Sequence, residues 1–263
     1  MSVESKAVPA LGVSQRPALG VALQLSVVAP VYDEAPNLAP LAASMSAALG
    51  EGLGWELLLV DDKSRDGSVA AIGELARRDP RVRGVFLERH CGQTSALKVG
   101  IERARAPLIA TLDADLQNDP ADIKLLLARL DGHDAAVGVR VRRRDSFVRR
   151  ASSRIANRVR NAVLHDTIQD TGCGLKLFRT EAIRALPLFE GMHRFLPTLL
   201  RYHGFSVIEV PVSHHPRTRG RSKYGIRNRA WRAFKDMLAV RWMRSRIIRV
   251  PSVVEERGEE RRS

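Results

Sequence analysis

Two carboxylates and an amide stand together where a short apolar run ends: Pro107-Leu-Ile-Ala-Thr-Leu112 leads directly into Asp113-Ala114-Asp115-Leu116-Gln117. Side chains alternate along a strand, so Asp113 and Asp115 are expected on one side, with Gln117 following as the chain turns. Oxygen-only ligands with open positions suit Mg2+ or Mn2+. Such ions take one or two protein carboxylates and leave their other positions to water and phosphate oxygens. The chemistry on offer is therefore neutralisation of a diphosphate, with Asp113, Asp115 and Gln117 as the candidate metal ligands. An Asp-x-Asp by itself is more often an acidic loop, so the weight falls on its surroundings.

Two other polar clusters close apolar runs in the same way. Tyr32-Asp33-Glu34 follows Leu25–Pro30, and Asp61-Asp62 follows Trp55–Val60. Tyr32 can stack on a nucleobase and Glu34 can accept its N–H groups, while Val60 can wall the base and Asp62 can bind its N–H or a ribose. The competing reading is a solvated turn and a helix cap, and for Asp66 that reading is preferred.

The elements that must position these residues alternate. Strands are expected at 25–29, 55–60, 82–87, 108–112 and 135–139, and helices at 37–49, 68–78, 94–104 and 121–130. Alternation at these lengths indicates βαβ crossovers and a mainly parallel sheet, which binds ligands beyond the carboxyl ends of its strands. The three polar clusters all lie there, so they converge on one cleft. Two further strands are expected at 175–178 and 207–212. Basic amphipathic helices are expected over 147–164 and about 226–248, the second carrying Trp231, Phe234, Leu238 and Trp242 at helical spacing.

At 263 residues one substantial core is the default. The 43 Lys and Arg against 29 Asp and Glu give a net charge of +14, which implies an anionic partner or surface. Cys91 and Cys173 fit neither a metal spacing nor a disulfide framework, which points to a reducing compartment. No apolar stretch reaches bilayer-spanning length, and the N-terminus does not read as a secretion signal. The expected organisation is a disordered tail over 1–21, a main domain over 22–215, a loop with amphipathic helices over 216–250, and a disordered tail over 251–263.

Pro30-Val-Tyr32-Asp-Glu34 with Asn37, Asp61-Asp62-Lys-Ser64-Arg-Asp66, His90-Cys-Gly92-Gln and Asp113-Ala-Asp115-Leu-Gln117, taken in that order, resemble the family 2 glycosyltransferases of GT-A fold. Within that family the resemblance is greatest to polyprenyl-phosphate glycosyltransferases, the group that includes the dolichol-phosphate mannosyltransferases. It rests on Gly138-Val139-Arg140, on Arg149 through Ser153 to Asn157, and on Arg217 through Gly220-Arg-Ser222-Lys223. The resemblance implies an α/β fold, a Rossmann-like mainly parallel sheet with helices on both faces, followed by a small basic helical subdomain.

It further implies a metal-dependent, inverting transfer of a sugar from a nucleoside diphosphate to a polyprenyl phosphate at the cytoplasmic membrane face, with Mg2+ or Mn2+ as cofactor. Pro30, Tyr32, Glu34, Val60, Asp62, Asp113, Ala114 and Asp115 are then the donor-binding set, with uracil favoured over guanine. Asp113, Asp115, Arg140, Arg149, Ser153, Arg217 and Lys223 are the catalytic set. A lipid phosphate, with its second pKa near about 6, is ionised at neutrality and needs positioning more than activation. Arginine forks match its oxygens. Asp170 is read equally as a positioning group or as the acceptor of a turn. Attachment to an anionic membrane surface is expected to be peripheral. The rivals are a family 2 enzyme with a hydroxyl acceptor, which needs a base that the sequence does not supply, and a nucleic-acid-binding protein, which the acidic cleft disfavours.

Overall fold

Apolar runs bounded by polar turns become the strands of the computed structural model. It describes residues 22–140, 158–187, 189–216 and 226–247, with side chains from Phe234 onward in the last stretch. In chain order the strands are β1 (Leu23–Val31), β2 (Gly54–Asp61), β3 (Val82–Phe86), β4 (Leu108–Thr111), β5 (Ala135–Arg140), β6 (Lys176–Arg179) and β7 (Val207–Val212). The helices α1 (Ala35–Leu49), α2 (Ser68–Arg78), α3 (Gln93–Arg103) and α4 (Asp122–Arg129) alternate with the first five strands. Then come α5 (158–164), α6 (Thr180–Arg184), a 3-10 turn at Met192–Arg194, α7 (Leu196–Tyr202) and α8 (Ile226–Arg244).

One sheet holds all seven strands in the order β3-β2-β1-β4-β6-β5-β7. β1 runs parallel to β2 and to β4, β2 to β3 and β5 to β7, whereas β6 is antiparallel to both of its neighbours. Its reversal brings its first residue, Lys176, opposite Thr111 of β4 and Val137 of β5. The loop ahead of β6 therefore arrives at the edge of the sheet where β4 and β5 end.

Alternation along each strand divides the core into two layers. Leu25, Val27 and Ala29 of β1 with Leu57 and Leu59 of β2 face α1, where Leu38, Leu41 and Met45 recur at helical spacing. Val28, Leu58 and Val60 face the opposite way, toward Ala96, Leu97 and Ile101 of α3. Met237 and Val240 of α8 are buried in this second layer, so the described part of α8 is continuous with the core of the sheet.

The expected strands and the first four helices are present with ends shifted by a few residues, and α2 spans the expected residues 68–78. Of the basic helix expected over 147–164, residues 158–164 are helical and the rest lies outside the described residues, as do both terminal tails. α6, the 3-10 turn and α7 were not anticipated.

Gly100 lets α3 lie close against the sheet: a Cβ there would come within 2.2 Å of Val28 Cγ1 and 3.1 Å of Val60 Cγ2. Both contacts belong to fully buried side chains. Gly100→Ala is expected to destabilise the protein by about 1–3 kcal/mol through overpacking, read from its urea unfolding midpoint.

Candidate active site

The metal-capable cluster sits in a turn after β4 rather than on the strand. β4 stops at Thr111, and the backbone at Leu116 takes a φ of 60°. Asp115 Oδ1 accepts the Gln117 N–H at 3.2 Å, and this local turn, not strand alternation, sets the directions of the side chains. Asp113 is partly exposed and lines a cavity of about 400 Å3, whereas Asp115 is 8% exposed and is not among the lining residues. Gln117 is clipped to the segment after β7: its carbonyl accepts the His215 N–H at 2.9 Å.

The cavity lies on the α3 side of the sheet, between Gln93 and Leu97 of α3, Leu112 and Asp113 after β4, the 171–174 loop, and His193 and Arg194. Gln93 Nε2 donates to Asp113 Oδ1 at 2.9 Å. Thr111 Oγ1 donates to the Gly174 carbonyl at 2.8 Å and holds the loop against the end of β4. Gly174 is a close approach: a Cβ there would lie 2.2 Å from Asp113 Oδ2. Its bare backbone is what leaves that oxygen its place.

Lys176 forms part of the cavity lining at 4% exposure and donates to the Cys173 carbonyl. Burial pulls its ammonium below the ordinary lysine value, against the stabilising fields of Cys173, Asp113 and Asp170. Arg140 turns its fork toward Asp170, with Nε at 2.7 Å from Oδ2 and Nη2 at 2.8 Å from Oδ1. Burial works against the Arg140 charge, and the Asp170 bonds outweigh it and raise the guanidinium above its usual value. Asp170 also accepts the Gly172 N–H at 3.2 Å, the bond of a local turn. Arg140, expected in a phosphate cradle, therefore has two of its donors engaged within the protein.

The base-binding candidates gather at the ends of β1 and β2. Pro30 and Val60 are register partners across the two strands. Val60 is fully buried on the face that packs against α3, and Ala114 is 3% exposed. The Tyr32 ring stacks on His90 with centroids 4.3 Å apart. Glu34 Oε2 accepts from Asn37 Nδ2 at 2.6 Å. The Asp62 carboxylate, 2% exposed, accepts the N–H groups of Cys91 and Gly92, each at 2.7 Å, and meets His90 Nδ1 at 2.9 Å. It organises the entry to α3, a role that its position after a strand does not reveal. Asp66 caps, as expected: its oxygens take the Ala35 N–H at 2.9 Å and the Ser68 N–H at 3.0 Å.

The sequence reading did not single out Gln93 or Lys176 as site residues, and it placed His90 in a motif without a role. Arg149, Ser153, Arg217 and Lys223 lie outside the described residues. Among the described residues no three His, Cys, Asp or Glu side chains gather as a metal site. The donors are two carboxylates and an amide, which fits an ion that completes its shell with phosphate and water oxygens.

Gly174→Ala tests how closely the loop controls Asp113. Its new methyl meets the end of a flexible side chain rather than backbone, so the fold is expected to survive while Asp113 is displaced. Mn2+-dependent nucleotide affinity is expected to fall about tenfold or more, by calorimetry, with a melting temperature within a few degrees of the parent.

Residues 26–186 match the model of glycosyl transferase family 2. A dodecaprenyl-phosphate galacturonate synthase of Rhizobium johnstonii is 39% identical over 225 residues, 83% of this chain and 66% of that protein. An undecaprenyl-phosphate 4-deoxy-4-formamido-L-arabinose transferase of Edwardsiella ictaluri is 38% identical over 205 residues, 77% of this chain and 63% of that protein. The chain thus spans just under two thirds of the length of these relatives. Among solved structures, glucosyl-3-phosphoglycerate synthase from Mycobacterium tuberculosis in complex with UDP has a TM-score of 0.63 at 16% identity, covering 89% of this chain and 87% of that one. A mannosyltransferase from Pyrobaculum calidifontis in complex with GDP-Man and Mn2+ has a TM-score of 0.59 at 18% identity, covering 90% and 70%. At such identities the likeness is one of fold, and it is the GT-A architecture that the motifs imply. With the family match extending from β1 through β6 and over more than half of its length, the chain belongs to glycosyl transferase family 2.

Proposed function

We propose that the protein transfers a glycosyl unit from a uridine diphosphate donor to a polyprenyl phosphate, with inversion, at an anionic membrane surface. The observation that carries this reading is that Asp113 lines a cavity beside the end of β4, the strand that lies next to β1 in the sheet, with the ends of β1 and β2 on the same edge. Such a layout suits a donor whose base, diphosphate and sugar are read in sequence. The names of the two relatives share a polyprenyl phosphate and differ in the sugar.

Tyr32 and Glu34 take the base, with Pro30 and Val60 behind them and Asp62 holding the His90–Gly92 entry to α3. Asp113, Asp115 and Gln117 hold Mg2+ or Mn2+, which when bound supplies Lewis-acid stabilisation of the departing diphosphate. Gln93 fixes one oxygen of Asp113 and so orients the other. The cavity walls exclude water from the sugar, which limits hydrolysis. The acceptor phosphate falls to Arg149, Ser153, Arg217 and Lys223, on the resemblance of their motifs. An ionised phosphate oxygen attacks directly, and a single displacement inverts the anomeric centre without a protein base.

α8 supports the membrane part of the reading. Phe234, Leu238 and Trp242 recur every four residues and are 45%, 46% and 62% exposed, on a helix whose Met237 and Val240 are already buried. Arg246 lies with its guanidinium 5.9 Å from the centre of the Trp242 ring, and Arg241 is also exposed. An apolar stripe rimmed by arginines suits an anionic headgroup layer. No helix among the described residues is long and apolar enough to cross a bilayer.

Incubation with labelled uridine diphosphate sugars, undecaprenyl phosphate and Mn2+ is expected to move label into an acid-labile lipid. Asp113→Asn is expected to lower the rate about a hundredfold or more. Label appearing only in water-soluble glycan contradicts the lipid acceptor. Trp242→Glu is expected to weaken binding to phosphatidylglycerol vesicles about tenfold while leaving binding of soluble nucleotide unchanged.

A further inference from the structure

The floor of the cavity carries a charge that transfer of a neutral sugar does not call on. β6 opens with Lys176, whose side chain shares a face with Phe178 and enters the second core layer just below Asp113. At 4% exposure it is a buried amine that offers three donors as the ammonium. Among the described residues it makes one hydrogen bond, to the Cys173 carbonyl, and no ion pair. The remaining donors belong to a cavity whose other charged or ionisable lining groups include Arg194 and His193, with Asp113 as the single carboxylate.

From these observations we infer that the glycosyl unit of the donor carries a carboxylate, as in a hexuronic acid, and that Lys176 pairs with that carboxylate. The inference rests on the glycosyl-transfer reading above and names the substrate class of the same cavity. Depth argues for the sugar over the diphosphate as the partner. Lys176 stands level with Thr111, two residues back along the chain from Asp113, so the diphosphate at Asp113 lies above it and the glycosyl ring reaches down to it. Charge argues for a carboxylate over a hydroxyl. A hydroxyl would accept from one donor and leave the ammonium only the fields of neighbours with which it forms no ion pair, such as Asp113 and Asp170, whereas a carboxylate accepts the donor and pairs the charge directly. Leu97, Leu112 and Leu196 supply apolar wall for the carbon face of a pyranose, and 400 Å3 lies within the range of small-molecule sites.

The test is calorimetric, on the full chain with Mn2+, using pairs that differ only at C6: UDP-galacturonate against UDP-galactose and UDP-glucuronate against UDP-glucose, with UDP as the reference ligand. In at least one pair the uronate is expected to bind about ten- to a hundredfold tighter than its hexose, the range of a charge-assisted pair. Lys176→Met is expected to bring that ratio to about one, and Lys176→Arg to retain part of it. UDP affinity reports whether each variant is folded. Equal binding of uronate and hexose by the parent overturns this inference and leaves the transfer reading standing, as does a ratio that survives Lys176→Met. Failure of the parent to bind UDP overturns the uridine-donor reading and this inference with it.

Discussion

The reversed strand β6 is the constraint on which the site depends. A sheet built only from parallel crossovers brings one set of strand ends to the cleft, together with the loops that leave them. Inserting one antiparallel strand between β4 and β5 brings the start of a strand, and the loop before it, to that same edge. Thr171, Gly172, Cys173, Gly174 and Lys176 thereby line the same cavity as Asp113, with Gly174 directly against it. The Thr111–Gly174 hydrogen bond and the Asp170–Arg140 pair fix that loop to the two flanking strands. Removing one partner of a pair as buried as Asp170 with Arg140, which are 6% and 18% exposed at their side chains, costs on the order of 3–5 kcal/mol. The geometry around Asp113 is thus held by the same interactions that close the sheet.

The other edge of the cleft is organised by a second carboxylate. Asp62 takes two backbone N–H groups at 2.7 Å, and hydrogen bonds to a charged acceptor contribute about 1.5–3 kcal/mol each. They hold Cys91 and Gly92 at the start of α3, and α3 in turn carries Gln93 to Asp113. Thr94 continues the chain of contacts, with its hydroxyl 2.8 Å from His193 Nδ1 on the far wall of the cavity. Asp62, Asp113 and His193 therefore all bond to the start of one helix, α3, or to the residues that lead into it, so a change at Asp62 is expected to be felt at Asp113.

Much of this was legible from patterns with a physical cause. Unbroken apolar runs gave β1 and β2 because both faces of each are covered, and the spacing of Leu38, Leu41 and Met45 gave α1. The convergence of Tyr32, Asp62 and Asp113 followed from parallel topology alone. The direction of β6 was not legible, since a strand reads the same whichever way its neighbours run. α6 and α7, with five and seven residues, are too short to display a helical repeat. Asp62 is read as ligand-facing because it ends a strand in line with Tyr32, and Arg140 because it matches a motif position; what neither pattern reveals is the bonds they make to partners 28 to 30 residues away. Lys176 was passed over because a lysine at a strand start is usually at the surface, and only the reversed strand buries it.

The most direct measurement of the central claim is a crystal structure of the protein with Mn2+ and UDP. The account predicts an ion on the Asp113 carboxylate, bridged to the pyrophosphate at the mouth of the cavity, with the uracil against Tyr32. A manganese ion and nucleotide bound elsewhere, with Asp113 still paired only to Gln93, would contradict it.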